Sequence, residues 1–203
     1  VTDEARRPSR IRVWVLLGLA VVAAVGAGLW WWLSPAPGTP LEEELEIEPP
    51  EPQEPVVFTL YFPGRGERLG VEERELAVGD EPRARARTLV LALLDGPRTA
   101  GLVRPFPERV GLHDIYLTSD GVAFVDLGGE DLESPPPSGS MEEMMRVYSL
   151  VQTLTANLPE VQRVAVLWNG VQRQTFAGHL DTSRPLGPKP DLLSAAARRA
   201  AAG

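Results

Sequence analysis

The chain has 203 residues, with 20 Lys and Arg against 28 Asp and Glu, a formal charge of −8, two His and no Cys. The missing Cys excludes disulfides, thiolate nucleophiles, thiolate-ligated zinc or iron–sulfur centres and lipid attachment through cysteine. The acidic balance argues against nucleic acid as a partner, because phosphate contacts need clustered Lys and Arg.

Residues 1–12 form a basic stub in which Arg6, Arg7, Arg10 and Arg12 outweigh Asp3 and Glu4. A 21-residue run without charge follows, Val13 to Leu33, and it ends in Trp30, Trp31 and Trp32. At about 1.5 Å per residue such a run spans roughly 30 Å, the thickness of a bilayer core, and indole rings favour the headgroup level. The spacing predicts a transmembrane helix over 13–33. It exceeds a signal-peptide core of about 7 to 15 residues, and it lacks the polar face of a surface helix. Arginines before it and glutamates after it place the amino terminus in the cytoplasm and the remainder outside, a single-pass topology. Residues 34–55 carry seven Pro and seven Glu and no Lys or Arg. This composition predicts a disordered, extended linker.

Residues 56–186 read as one mixed domain. Val56 to Phe62 is β-branched and aromatic and stops at Pro63-Gly64, so it is a strand. Leu69 to Val78 is its antiparallel partner. Asp80 is placed to cap a helix with Pro82 in its first turn, and Ala86, Leu89, Val90, Leu93 and Leu94 recur at helical spacing. Gly96-Pro97 ends it. Leu112 to Thr118 and Val122 to Leu127 form a hairpin about Asp120-Gly121, a dipeptide suited to the positive φ values of a tight turn. The proline-bearing stretch 128–139 is a loop. Ser140 and Glu143 match a capping box, followed by Met144, Val147, Tyr148, Val151, Leu154, Thr155 and Leu158 on one helical face up to Pro159. Val161 to Trp168 and Val171 to Phe176 form the last hairpin, about Asn169-Gly170. The order β-β-α-β-β-α-β-β implies an α+β fold with two helices on one face of a largely antiparallel sheet. Residues 187–203 read as a flexible, Ala-rich tail.

With these elements placed, the chain resembles the GerMN domain, the sporulation and spore germination domain. The resemblance rests on Tyr61-Phe62-Pro63, Leu93-Leu94-Asp95-Gly96-Pro97, Gly101-Leu102 and Pro105-Phe106-Pro107-Glu108. It continues through Gly121 to Leu127, Val151 to Thr155, Val161 to Val164, Asn169-Gly170 and Gly178-His179-Leu180-Asp181. It implies a membrane-tethered, extracytoplasmic and non-catalytic module of the bacterial envelope, acting in some relatives through protein–protein contacts, and it supplies no catalytic residues or cofactor. This chain differs from relatives with two domain copies or a lipidated Cys.

The candidate constellations are few. His113 beside Asp114 and His179 beside Asp181 fall short of the three or four converging ligands of a zinc site. Asp126, Glu130 and Asp131 miss the spacing of a calcium loop. Glu72, Glu73, Asp126 and Glu130 could supply a carboxylate pair only within a cleft. No nucleophile elbow, P-loop or dinucleotide fingerprint occurs. Arg83, Arg85 and Arg87 open a helix, where the dipole disfavours cations, which marks them as a candidate partner-binding patch. The expectation is a non-enzymatic, cofactor-free module at the cell membrane that binds an envelope protein. A wall-polymer binder such as a peptidoglycan module is the alternative, and an envelope hydrolase a third.

Overall fold

The computed structural model describes residues 10–33 and 54–201. They belong to two compact units, one ending at Pro50 and the other beginning at Glu51. The first contains one helix among the described residues, α1 (Arg10–Leu33). Among the described residues no helix is long and apolar enough to cross a membrane, so the expected span has no support from the structure. The linker expected over 34–55 lies outside the described residues, apart from its last two positions, and so does the stub before Arg10.

In the second unit the elements follow the expected order. They are β1 (Pro55–Pro63), β2 (Leu69–Ala77), α2 (Pro82–Asp95), β3 (Gly111–Leu117), β4 (Val122–Gly128), α3 (Ser140–Asn157), β5 (Arg163–Trp168) and β6 (Val171–Gln172). The class is α+β as read, but the expected single, largely antiparallel sheet is corrected to two sheets. β1 and β2 form a separate antiparallel hairpin, and the other four strands are ordered β3-β4-β5-β6. Within that sheet β4 and β5 run parallel, in register from Val122 opposite Arg163 to Leu127 opposite Trp168. The parallel pair follows from α3, which carries the chain back along the sheet between the two strands.

The two helices touch strands of both sheets. They pack on each other, with α2 also against β1 and β3 and α3 against β1 and β5. Helix α3 is therefore buried nearly all round: Met145, Val147, Leu150, Val151 and Leu154 share its interior with Arg146, Ser149, Gln152 and Thr153. Its apolar stripe continues into the strands through Leu60, Phe62, Ile115, Val125, Val164 and Trp168, all in one core.

Several local expectations need correction. Neither Asp80 nor Ser140 caps a helix, since the cap positions are Glu81 and Gly139 and no side chain bonds there. The 118–122 turn has three residues, with positive φ only at Gly121, which matches a turn followed by a glycine bulge. Asn169 (φ 50°) and Gly170 (φ 78°) do form the tight primed turn. Gly129 is required for another reason, because a Cβ there would run into the Arg109 carbonyl and the Leu132 side chain. The last strand shrinks to Val171–Gln172 because the following residues fold into a small loop closed by a Thr175–Asp181 bridge.

The expected flexible tail is ordered up to Ala201 and forms a strap. Leu186 exchanges two backbone bonds with Val164 on the β5 edge, and Leu193 pairs with Leu69 on β2. Ser194 then caps the short helix α4 (Ala195–Ala200) through its side chain. Leu192, Leu193 and Ala197 are buried, and this apolar anchorage is what holds a Pro- and Ala-rich segment in place.

Candidate functional site

The most concentrated chemistry lies on α3. Glu143 falls in helical phase with Val147, Leu150 and Leu154, so the fold carries its carboxylate into the interior, where it is fully buried. Four donors meet it there. Oε1 accepts the backbone N–H groups of Ala177 at 2.7 Å and Leu180 at 3.0 Å. Oε2 accepts the His179 N–H at 2.9 Å and lies 3.0 Å from His179 Nδ1. An ionised carboxylate offers about four lone-pair sites, and here each has a partner. Burial alone would raise the Glu143 carboxyl, but these hydrogen bonds together outweigh it and hold the group below its ordinary value. A carboxylate so saturated holds the 175–181 loop and has no lone pair left to act as a base.

One turn on, buried Arg146 performs the same task with the opposite sign. It donates Nε to the Pro105 carbonyl at 2.8 Å and Nη1 to the Pro136 carbonyl at 3.0 Å, and Nη2 pairs with Glu142 at 2.9 Å. The loops it holds also meet through aromatic rings, Phe106 and Trp168 each standing edge-on to Phe176. Trp168 Nε1 and Asn169 Nδ2 both donate to the Leu132 carbonyl. The segments around residues 105, 136 and 177 are thus fixed to one end of α3, and the one around 132 to the end of β5.

A second buried pair closes α2. Glu72 and Arg74 lie side by side on β2 with alternation that faces both toward the helices. Arg74 donates to the Ala92 and Gly96 carbonyls, and Glu72 Oε2 accepts the N–H groups of Arg98 and Thr99 at 2.6 and 2.7 Å. Burial would raise the Glu72 carboxyl, yet Arg74 and the two backbone donors bring it below its ordinary value. The carbonyls left over at a helix end find an arginine here.

Of the arginines singled out from the sequence, Arg83 and Arg87 both lie near Asp114, while Arg85 turns elsewhere. Arg83 donates Nε to the Ile115 carbonyl at 2.9 Å and pairs with Asp114 at 2.7 Å. Arg85 is turned back on the Gly79 and Asp80 carbonyls, and Arg87 is exposed. His113 Nδ1 stands 3.9 Å from Asp126 Oδ2, while Asp126 also accepts the Gly170 N–H. His179 and Asp181 do not converge, since Asp181 bonds Ser183. Among the described residues no three His, Asp or Glu are grouped to hold a metal ion. Sequence reasoning missed Glu143, Arg146, Glu72 and Arg74 as fixing groups. The available signal was a charge falling in phase with an apolar stripe, as Glu143 does.

Known proteins agree with this architecture. The family model described as "Sporulation and spore germination" (Germane) matches residues 59–174. Among solved structures, the tandem GerMN domains of the sporulation protein GerM from Bacillus subtilis align at 19% identity with a TM-score of 0.51, covering 70% of this chain and 48% of that one. The first GerMN domain of that protein aligns at 19% identity and a TM-score of 0.47, covering 69% of this chain and 98% of that chain. A lipoprotein candidate from Clostridium perfringens aligns at 21% identity and 0.48, covering 70% and 94%. No curated protein matches.

Proposed function

Because the chain belongs to the sporulation and spore germination family, we propose that it is a non-catalytic docking module of the bacterial cell envelope. In this reading a single helix in the cell membrane holds the domain outside, and the domain binds another envelope protein. The observation that carries the docking role is the use of buried charge. Glu143, Arg146 and Glu72 spend their hydrogen-bonding capacity on fixing loops, and Arg74 spends its own on the end of α2. Loops fixed in advance lose little entropy on association, which favours a recognition platform. The helical anchor is supported by the uncharged run from Val13 to Leu33 and the arginines before it.

The docking role is tested in intact cells with photo-reactive residues at exposed Arg109, Glu130 and Ser183 of the full chain. Discrete protein adducts are expected. Retention on isolated wall without any protein adduct would replace the partner with a wall polymer, and turnover of that polymer by the purified chain would overturn the non-catalytic reading. The anchor has its own test, since the chain lacks Cys. Single cysteines at Ser9 and Ser119 should differ toward an impermeant thiol reagent in whole cells, with only the latter labelled; equal protection of both refutes the topology.

A further inference from the structure

The strand edges of this domain are treated unequally. On β1 helix α3 takes three of the outward backbone groups: Asn157 bonds both the N–H and the carbonyl of Thr59, and Thr153 accepts the Tyr61 N–H. The Pro63 carbonyl accepts from Val103. On β3 the Ile115 N–H goes to the Asp114 side chain and its carbonyl to Arg83. The β5 edge is covered by β6 and by Leu186. These are the usual ways of disarming an edge.

On the outer edge of β2 only Leu69 is bonded in this way among the described residues. Opposed residues of an antiparallel pair both face inward or both face outward. Thr59 and Tyr61 face outward, so their partners Glu73 and Val71 do as well, and the alternation extends to Leu69 and Glu75. The Leu69 carbonyl is taken by the Ser194 N–H of the strap, whose helix α4 packs against β2 with Ala196 near Gly70 and Val71. At Val71, Glu73 and Glu75 the outward N–H and carbonyl groups have no hydrogen-bond partner among the described residues. Beside them lies a trough of about 540 Å³ lined by Glu72, Glu73, Arg74, Glu75, Arg98 and Thr99. Glu72 and Arg74 neutralise each other, which leaves exposed Glu73 and Glu75 against Arg98, a net acidic rim.

We infer that the β2 edge from Val71 to Glu75 receives an extended, Lys- or Arg-bearing segment of a partner protein as an added strand, continuing the pairing that the strap begins at Leu69. Backbone groups supply the binding, and alternate basic side chains set against Glu73 and Glu75 supply the selectivity. A second copy of this chain is the wrong occupant, because two β2 edges laid together would oppose glutamates with glutamates. The inference rests on the docking role proposed above and adds where and to what chemistry the domain docks.

The test measures binding of fluorescent nine-residue peptides to the full chain in detergent by anisotropy. The probes are an alternating Lys-Val peptide, its Glu-Val analogue, and a Lys-Val peptide N-methylated at alternate amides. The Lys-Val peptide is expected to bind and the Glu-Val peptide not to. N-methylation, or Glu73→Pro in the protein, should weaken binding by about tenfold or more, as expected from lost backbone bonds. The Glu73 N–H faces away from β1, so the proline leaves the hairpin ladder intact, and an unchanged melting curve verifies this. Equal binding of the methylated peptide, of the acidic peptide, or by a folded Glu73→Pro variant would overturn the inference. So would self-association of the chain that Glu73→Pro abolishes, since it would make a second copy the occupant. Cell adducts from Arg109 or Ser183 that persist in Glu73→Pro leave docking standing and remove only this edge, whereas absence of adducts from every position removes the docking role itself.

Discussion

Replacing Glu143 by Gln tests whether a single carboxylate fixes the 175–181 loop. The amide matches the side chain in volume, so packing is preserved and the change is confined to hydrogen bonding. With its oxygen toward Ala177 and Leu180 and its nitrogen toward His179, the amide leaves the His179 backbone N–H without an acceptor. One orphaned buried donor costs about 1–3 kcal/mol. The bonds that remain lose their charge assistance, roughly half their strength. A net loss of about 3 kcal/mol follows, which for a domain of this size lowers Tm by roughly 6–12 °C. Thermal unfolding followed by circular dichroism measures the shift, and hydrogen exchange at the His179 amide locates it. A Tm within about 2 °C of the parent, with His179 exchange unaltered, would refute the assignment. The pH dependence has a definite sign, because the folded carboxyl lies below its unfolded value of about 4.3. Its contribution is present above that value and fades as pH falls through the depressed folded one. Glu143→Gln should therefore flatten the acid limb of the stability curve.

Arg146→Lys shortens the reach to the Pro105 and Pro136 carbonyls and should cost about 2–3 kcal/mol, read by urea denaturation, with faster proteolysis in residues 129–139. Arg74→Leu leaves Glu72 buried without its cation and should cost about 3–5 kcal/mol, whereas the double variant with Glu72→Gln should cost clearly less than the sum of the singles. Arg83→Ala removes an exposed, solvent-screened pair that contributes little to stability but uncovers the Ile115 carbonyl on the β3 edge. Light scattering should then show increased self-association at nearly unchanged Tm.

Much of the domain could be read from local signals. Asn169-Gly170 marks its turn because few residues accept positive φ there, and Gly96-Pro97 stops α2 because proline cannot continue a helix. Contacts between distant residues were illegible. Ser140 and Glu143 have capping-box spacing, yet the partners of Glu143 lie 34 to 37 residues away, and burial makes the N–H groups of that distant loop better donors to the carboxylate than the helix end. Arg83 looks like a surface cation among Arg85 and Arg87, and only the folded position of Ile115 reveals it as an edge cap. The parallel pairing of β4 and β5 depends on how α3 returns the chain, which alternation within a strand does not encode. Leu192 and Leu193 were the warning in the tail, two large apolar residues in a segment otherwise read as solvated.

The strap bears on how this polypeptide should be handled at the bench. Terminating translation after Ser183 would strip Val164 and Leu69 of their seam and bare both rims at once, so a truncated preparation should precipitate or trade carboxy-terminal ends between neighbours. Affinity handles belong on the amino side, and expression boundaries drawn at the last recognisable motif would discard the stitch that keeps the two halves together.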